Sequence, residues 1–185
     1  SFSQDLSTNP EVELRDTIPS AINAEPGAAI ALSPSRNDVR QFVNEILHEG
    51  VVVRQLTAGD PASHAPAGTF FVPLERNSRL RERLAARGIA WSTIDSMPSE
   101  NVMAIERPQS VGLYTSYRPN SADEGWTRYV LEMHGFDVTL LYDDDIRAGA
   151  MIDRVDAIVT ASMNGSDIVH GNPARLAPPE FCGGI

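Results

Sequence analysis

The sequence predicts an α/β protein with two Rossmann- or flavodoxin-like lobes, whose mostly parallel sheets are flanked by helices and whose second lobe is incomplete. The first observation is that apolar, β-prone runs alternate with amphipathic stretches of about 10–15 residues, as in βαβ units. The second is that three helical stretches end at a glycine followed directly by an apolar run: Gly50, Gly88 and Gly135. Glycine favours the left-handed conformation that ends a helix, and right-handed crossovers then predict parallel neighbouring strands.

Four segments follow one another along the chain. Residues 1–26 contain three X-Pro dipeptides and no periodicity, which predicts an extended lead-in or connector. Residues 27–95 are predicted to form a small α/β lobe, residues 96–109 a linker with two prolines, and residues 110–185 the second lobe. Because the second lobe stops before completing a sheet, we expect a fragment whose open edge pairs with another chain or is covered by residues 1–26.

The first lobe begins with the apolar run 28–33, which is a predicted strand. The helix that follows has apolar residues at i, i+3, i+4, i+7 and i+8: Val39, Phe42, Val43, Ile46 and Leu47. Residues 51–53 open the next strand, residues 57–68 form a loop rich in glycine and proline, and residues 69–72 form a brief strand. A short helix and one further strand complete the lobe.

Residues 110–141 are predicted to form a strand, a turn, a helix and a second strand. Ser121 and Glu124 have the spacing of a capping box, which begins the helix. The apolar positions of this helix fall on one face, which we expect to pack in the core: Ala122, Trp126, Tyr129, Val130 and Met133. The alternative role for Trp126 and Tyr129 is to line a pocket.

The composition excludes several classes of function. The 185-residue chain has a net charge of −10, with 25 acidic residues against 15 basic ones. It therefore lacks the excess of positive charge with which proteins bind the phosphates of nucleic acids. All basic residues are arginines, which excludes a Schiff-base lysine and argues against a P-loop. One cysteine permits neither an internal disulfide nor a cysteine-based zinc site. No apolar run reaches the roughly 18 residues of a membrane span.

The turn between strand and helix in the second lobe is the candidate binding site. Tyr117, Arg118, Asp123 and Glu124 follow the carboxyl end of a predicted strand and lie at a helix N-terminus. Open α/β sheets place ligands at this position, where backbone N–H groups favour an anion. A small-ligand or anion-binding module is therefore one interpretation, and a turn held by Arg118 to a nearby carboxylate is the other.

Asp143, Asp144 and Asp145 form a second candidate cluster. Carboxylates bind hard cations, but three consecutive acids cannot all face one ion, and the spacing of an EF-hand is absent. Acids at the start of a helix interact favourably with its dipole. We therefore interpret the cluster as a helix start, predict no metal site, and assign no residue a catalytic role.

A family resemblance spans most of residues 28–185 and rests on five segments: DEGWTRYVLEMHGF (123–136), DDDIRAG (143–149), DAIVTAS (156–162), PPEFCGGI (178–185) and AGTFFVPL (67–74). They resemble the C-terminal region of bacterial proteins of the M14 zinc carboxypeptidase class, in which a glutamine-amidotransferase-like module follows the peptidase domain. The resemblance implies that residues 110–185 are part of that class I module. It also implies zinc in the peptidase domain of the parent protein, and a periplasmic or secreted location.

Two departures from this family decide the predicted function. An M14 zinc site needs a His-x-x-Glu pair and a later histidine, and no histidine here has a glutamate three residues on: His48, His64, His134 and His170. We therefore predict a non-catalytic accessory region that packs on or modulates the peptidase domain, or pairs with another copy of this chain.

The second departure is that the module of this family would continue past residue 185 with more strands and helices, which is why we expect a fragment. Cys182 would be the nucleophile of an amidotransferase-like enzyme. Such enzymes carry their cysteine on a Gly-x-Cys-x-Gly elbow. Gly184 matches the second glycine, but Glu180 stands in place of the first and Pro179 precedes it. We interpret Cys182 as a loop residue and keep the amidotransferase as an alternative, so whether the chain is itself an enzyme is left open.

Overall fold

The computed structural model of the protein describes residues 28–59, 65–75, 77–118, 121–149 and 151–185. Its elements in chain order are β1 (Ala29–Leu32), α1 (Asn37–His48), β2 (Val53–Leu56), β3 (Phe70–Pro73), α2 (Leu80–Ala86), β4 (Ser92–Ile94), β5 (Val102–Ile105), β6 (Ser110–Tyr114), α3 (Ser121–Met133), β7 (Asp137–Leu141), α4 (Asp143–Ala148), β8 (Ala157–Thr160) and α5 (Gly165–His170). The predicted lead-in 1–26 and His64 lie outside the described residues.

The first sheet is antiparallel, which corrects the predicted fold class. Its strand order is β4-β1-β3-β2-β5, and each of its strand pairs is antiparallel. The β-α-β-β-α-β order of the first six elements, with strand order 4-1-3-2, is the split βαβ arrangement of ferredoxin-like sheets. The prediction of two Rossmann- or flavodoxin-like lobes with mostly parallel sheets is therefore wrong, and the protein is mixed α/β.

The connection between β2 and β3 explains the error. Gly68 N–H donates to the carbonyl of Leu56 at 2.7 Å, and Leu56 N–H donates to the carbonyl of Thr69 at 2.9 Å. These bonds close a hairpin, so β3 returns antiparallel beside β2, with Gln55 opposite Phe70. Parallel neighbours would instead need a crossover connection, which usually contains a helix. The glycine- and proline-rich stretch 57–68 was predicted as a loop, and its described residues, 57–59 and 65–68, lie outside the helices and strands. Its consequence for strand direction was not predicted.

The predicted linker 96–109 contains a strand of the first sheet. β5 pairs with β2 along its whole length, from Val53 opposite Ile105 to Leu56 opposite Val102. Pro98 and Pro108 flank the strand and give the segment the composition of a linker. The division of the chain into domains stays a prediction, but β5 belongs to the first sheet.

The core of the first lobe lies between its sheet and the helices α1 and α2. Ile30, Phe42 and Leu84 from the sheet and the two helices are completely buried. The guanidinium groups of Arg83 and Arg87 lie 5.3 and 5.2 Å from the centre of the Phe42 ring, and both form ion pairs with Glu45 on α1. Cation–π contact and charge pairing thus join α2 to α1 at the rim of this core.

The second sheet has three parallel strands in the order β7-β6-β8. The strand–turn–helix–strand order predicted for residues 110–141 is present as β6, α3 and β7. At the end of α3, side chains of α1 lie against carbonyl groups that have no partner within the helix. Gln41 donates to the carbonyl of Met133 at 2.9 Å, and Asn44 donates to that of His134 at 2.8 Å. These bonds fix the rotation of α3 about its axis and join the two lobes.

The Arg107–Asp156 ion pair joins the start of β6 to the start of β8 and gives a pH-dependent prediction. Two guanidinium nitrogens of Arg107 donate to the Asp156 carboxylate at 2.7 and 2.8 Å, and Ser110 N–H donates to it at 2.8 Å. The Arg107 bonds, followed by the Ser110 bond, lower the pKa of Asp156 to about 2. Because this pKa is below that of an unfolded aspartate, about 3.9, the stabilisation is present above pH ~4 and is lost as pH falls towards about 2.

We expect Arg107→Gln to lower the urea midpoint at neutral pH, and we expect the difference from wild type to shrink between pH ~4 and pH ~2. Urea unfolding at several pH values measures this. Arg79→Gln is the matched control, because Arg79 pairs with Glu82 at the exposed surface of α2. A midpoint difference for Arg107→Gln that stayed constant through this pH range would contradict the assignment.

Candidate functional site

A buried polar cluster closes the carboxyl end of β6. The Tyr114 hydroxyl donates to the carboxylate of Asp143, whose side chain is fully buried, and Tyr117 N–H donates to the other carboxylate oxygen at 2.9 Å. Burial, followed by the bond to Asp143, raises the pKa of Tyr114 to about 12. Tyr114 therefore remains a protonated donor at neutral pH, and the cluster holds the ends of β6 and β7 together.

The predicted ligand-binding residues lie around this cluster. Arg118 forms an ion pair with Asp167 at 3.1 Å. This is the contact expected if the turn is simply held in place by a bond from Arg118 to a nearby carboxylate. The Tyr117 hydroxyl donates to Asp144 at 3.0 Å. Glu124 accepts a hydrogen bond from the Thr115 hydroxyl at 3.2 Å. The side chains of Tyr117, Arg118 and Glu124 thus form hydrogen bonds or ion pairs with residues of neighbouring segments.

Asp123 lies in the first turn of α3, where its backbone carbonyl accepts a bond from the Thr127 hydroxyl. Residues 119–120, in the middle of the predicted site, are outside the described ranges, and so is the Ser121 side chain. The turn is also held from the other side, because Asn172 donates to the carbonyl of Tyr117 at 2.9 Å. Ligand binding by this turn stays a prediction.

The acidic cluster forms the first turn of α4, as the helix-start interpretation predicts. Its members face different partners: Asp143 is bonded to Tyr114, Asp144 to Arg147, and Asp145 to Arg154 and to Tyr142 N–H. The Arg154 bond, followed by the Tyr142 bond, lowers the pKa of Asp145. In the part of the chain that the structure describes, no three His, Cys, Asp or Glu side chains are arranged to hold a metal ion.

Cys182 lies in a local structure that differs from a nucleophile elbow. An elbow places the nucleophile at a sharp turn from a strand into a helix. Cys182 instead follows a short 3-10 helix, Pro179–Phe181, and precedes Gly183, which forms an isolated bridge with Asn172. Its sulfur lies 3.2 Å from two backbone carbonyl oxygens, those of Ala177 and Pro178. This agrees with the loop interpretation.

The apolar face of α3 is exposed, which corrects the expectation that it packs in the core. The exposed fractions of Trp126 and Tyr129 are 67% and 55%. Their rings meet edge to face, with centroids 5.8 Å apart. Together with Ala122 and Gly125 they line a cavity of about 390 Å³. Val130 and Met133 extend the surface along the helix, and both are also exposed. We call this surface the α3 face: Ala122, Trp126, Tyr129, Val130 and Met133.

The tertiary bonds of α3 explain why this face points outward. The Thr115–Glu124 bond holds the start of the helix, and bonds from Gln41 and Asn44 hold its end. A different stripe of α3 is therefore turned inward and half buried, and it consists of Asp123, Glu124, Thr127 and Leu131. The hydrophobic periodicity of the helix located its apolar face, but the prediction that this face is buried was wrong, because periodicity cannot show that the fold leaves a face uncovered.

A second cavity, of about 630 Å³, lies where the two lobes meet. Arg40 on α1, Met103 on β5 and Glu106 just beyond it line this interlobe cleft from the first lobe, and Phe136 lines it from the second. Sequence reasoning missed these residues. They come together only because β5 joins the first sheet, and that pairing has no local signal.

No helix in the described ranges combines the length and apolarity needed to cross a membrane. Comparisons of the chain with protein-family models, with curated proteins and with solved structures found no match.

Proposed function

We propose that this chain is a non-catalytic accessory module that docks through the α3 face on the peptidase domain of a zinc carboxypeptidase-like (peptidase M14) protein. The observation that supports docking is the exposed Trp126–Tyr129 pair. Contiguous exposed apolar surface on soluble domains often marks an interaction site. Tryptophan and tyrosine are also the side chains that most often dominate the binding energy of protein interfaces.

The geometry of α3 suits a helix-in-groove interface. Trp126, Tyr129, Val130 and Met133 follow the i, i+3, i+4, i+7 spacing with which an amphipathic helix lays one face into an apolar groove. The helix is held at both ends by the rest of the fold. Little ordering of the helix is therefore needed when a partner binds, which favours affinity.

The peptidase partner is proposed from the sequence resemblance alone, above all from the DEGWTR and PPEFCGGI segments. In this proposal, zinc is bound in the peptidase domain, the module shapes access to that domain or steadies it, and the parent protein is periplasmic or secreted. A second copy of this chain is the competing occupant of the α3 face.

The experiment that tests the proposal uses this chain and the peptidase domain encoded with it, produced separately. Calorimetric titration should detect saturable binding, and sedimentation of the chain alone should give a monomer. The chain alone should release no C-terminal residues from peptides in the presence of zinc. Concentration-dependent dimers that bury α3 would assign the face to a second copy, and zinc-dependent hydrolysis by the chain alone would contradict the non-catalytic assignment.

A further inference from the structure

The interlobe cleft has an apolar floor that follows from the strand register. Gln55 on β2 lies opposite both Phe70 on β3 and Met103 on β5, so these three side chains share one face of the sheet. Ile105, two residues beyond Met103, lies on the same face because side chains alternate along a strand. This is the face that α1 covers. Met103 is half exposed, so the covering layer stops short of β5 and leaves the cleft open there.

Two opposite charges in the cleft have no ionic partner among the described residues. The guanidinium of Arg40 lies 6.0 Å from the centre of the Phe70 ring, and no ion pair of Arg40 is present in the described part of the chain. The carboxylate of Glu106, which follows β5 directly, also forms no ion pair with any described residue. The other pair of charges in the cleft, Arg107 and Asp156, satisfy each other. Counting described residues only, the cleft thus offers one cation and one anion without an ionic partner, beside an apolar floor.

We infer that the interlobe cleft binds a zwitterionic amino acid, or a short peptide, that carries an apolar side chain. Arg40 receives the ligand's carboxylate, because a guanidinium forms strong charge-assisted hydrogen bonds with that group. Glu106 receives the ligand's ammonium group, and the apolar side chain lies on Phe70 and Met103. The cavity of about 630 Å³ is within the usual range for small-molecule sites, which combine apolar walls with a few polar groups.

The first experiment needs no variant of the protein. L-Phenylalanine, L-phenylalaninamide and N-acetyl-L-phenylalanine are titrated into the intact chain and followed by amide chemical shifts. The amide lacks the carboxylate, and the acetyl compound lacks the ammonium group. Phenylalanine should bind saturably, with shifts at Arg40, Met103 and Glu106. Each analogue should bind about tenfold more weakly or worse, since each loses a charge-assisted bond. Absence of binding at millimolar concentrations, or equal affinity for all three compounds, would overturn the inference.

Variants then assign each charge to its partner. In Arg40→Gln, the preference for phenylalanine over its amide should disappear, while the preference over the acetyl compound remains. In Glu106→Gln, the preference for phenylalanine over the acetyl compound should disappear, while the preference over the amide remains. Arg79→Gln and Glu82→Gln are matched controls, because this exposed pair on α2 lies outside the cleft. If both controls and both cleft variants kept the full discrimination, the proposed site would be excluded.

Discussion

Replacing Trp126 with alanine is expected to weaken binding to the proposed peptidase partner by about 2–4 kcal/mol, which is roughly 30-fold or more in Kd. A tryptophan at the centre of an apolar helix face has the size and position of an interface hot spot. The same change should alter the free energy of unfolding of the isolated chain by less than about 0.5 kcal/mol, because 67% of the side chain is exposed. Calorimetric titration and urea unfolding measure the two effects.

The contrast between these two numbers separates a docking residue from a core residue. Truncation of a core tryptophan or phenylalanine to alanine typically lowers the free energy of unfolding by about 3–5 kcal/mol. We expect a loss of this size for the buried Phe42. Leu176→Ala serves as the surface control, since Leu176 is 70% exposed and lies outside the α3 face. Should Trp126→Ala destabilise the isolated chain as much as Phe42→Ala does, the face would be part of a core and the proposal would fail.

Replacing Asp143 with alanine is expected to lower the free energy of unfolding by about 3 kcal/mol or more. The change removes the acceptor of two donors, the buried Tyr114 hydroxyl and the part-buried Tyr117 N–H, and a buried donor left without a partner costs about 1–3 kcal/mol. The cavity left by the side chain adds to the loss. Urea unfolding of the isolated chain, followed by circular dichroism, measures the effect.

Asp144→Ala is the matched control for this prediction. Asp144 is the next residue in the same turn, but its side chain is exposed, and its bonds to Arg147 and to the Tyr117 hydroxyl lie at the surface. Exposed pairs contribute about 0–1 kcal/mol. Asp143→Asn should give an intermediate loss, because the amide keeps one oxygen acceptor where the carboxylate had two. Equal destabilisation by Asp143→Ala and Asp144→Ala would show that the buried cluster does not hold β6 and β7 together.

Local sequence signals predicted the elements of this fold well. The stripe of apolar residues in residues 37–48 gives α1, with Val39, Phe42 and Ile46 buried. The helix-ending glycines predicted from the sequence, Gly50, Gly88 and Gly135, have positive φ angles of 80°, 62° and 73°. These signals are local, because a helix end requires only the backbone freedom of one residue.

Sheet topology and the uncovered face depend on contacts between distant residues. The direction of β3 is set by a hairpin, and β5 is recognised only through its pairing with β2, nearly 50 residues earlier in the chain. The outward rotation of α3 depends on Gln41 and Asn44, about 90 residues away. An apolar stripe predicts that a helix face avoids water, but it carries no information on whether the same chain or a partner covers it.

The most direct test of the docking face is the quenching of Trp126 fluorescence by acrylamide, measured in a Trp91→Phe background. Free Trp126 should be quenched nearly as strongly as a tryptophan in a short peptide, and the proposed peptidase partner should protect it. Trp126 that was already shielded in the isolated chain, or that stayed equally accessible in the complex, would contradict the account.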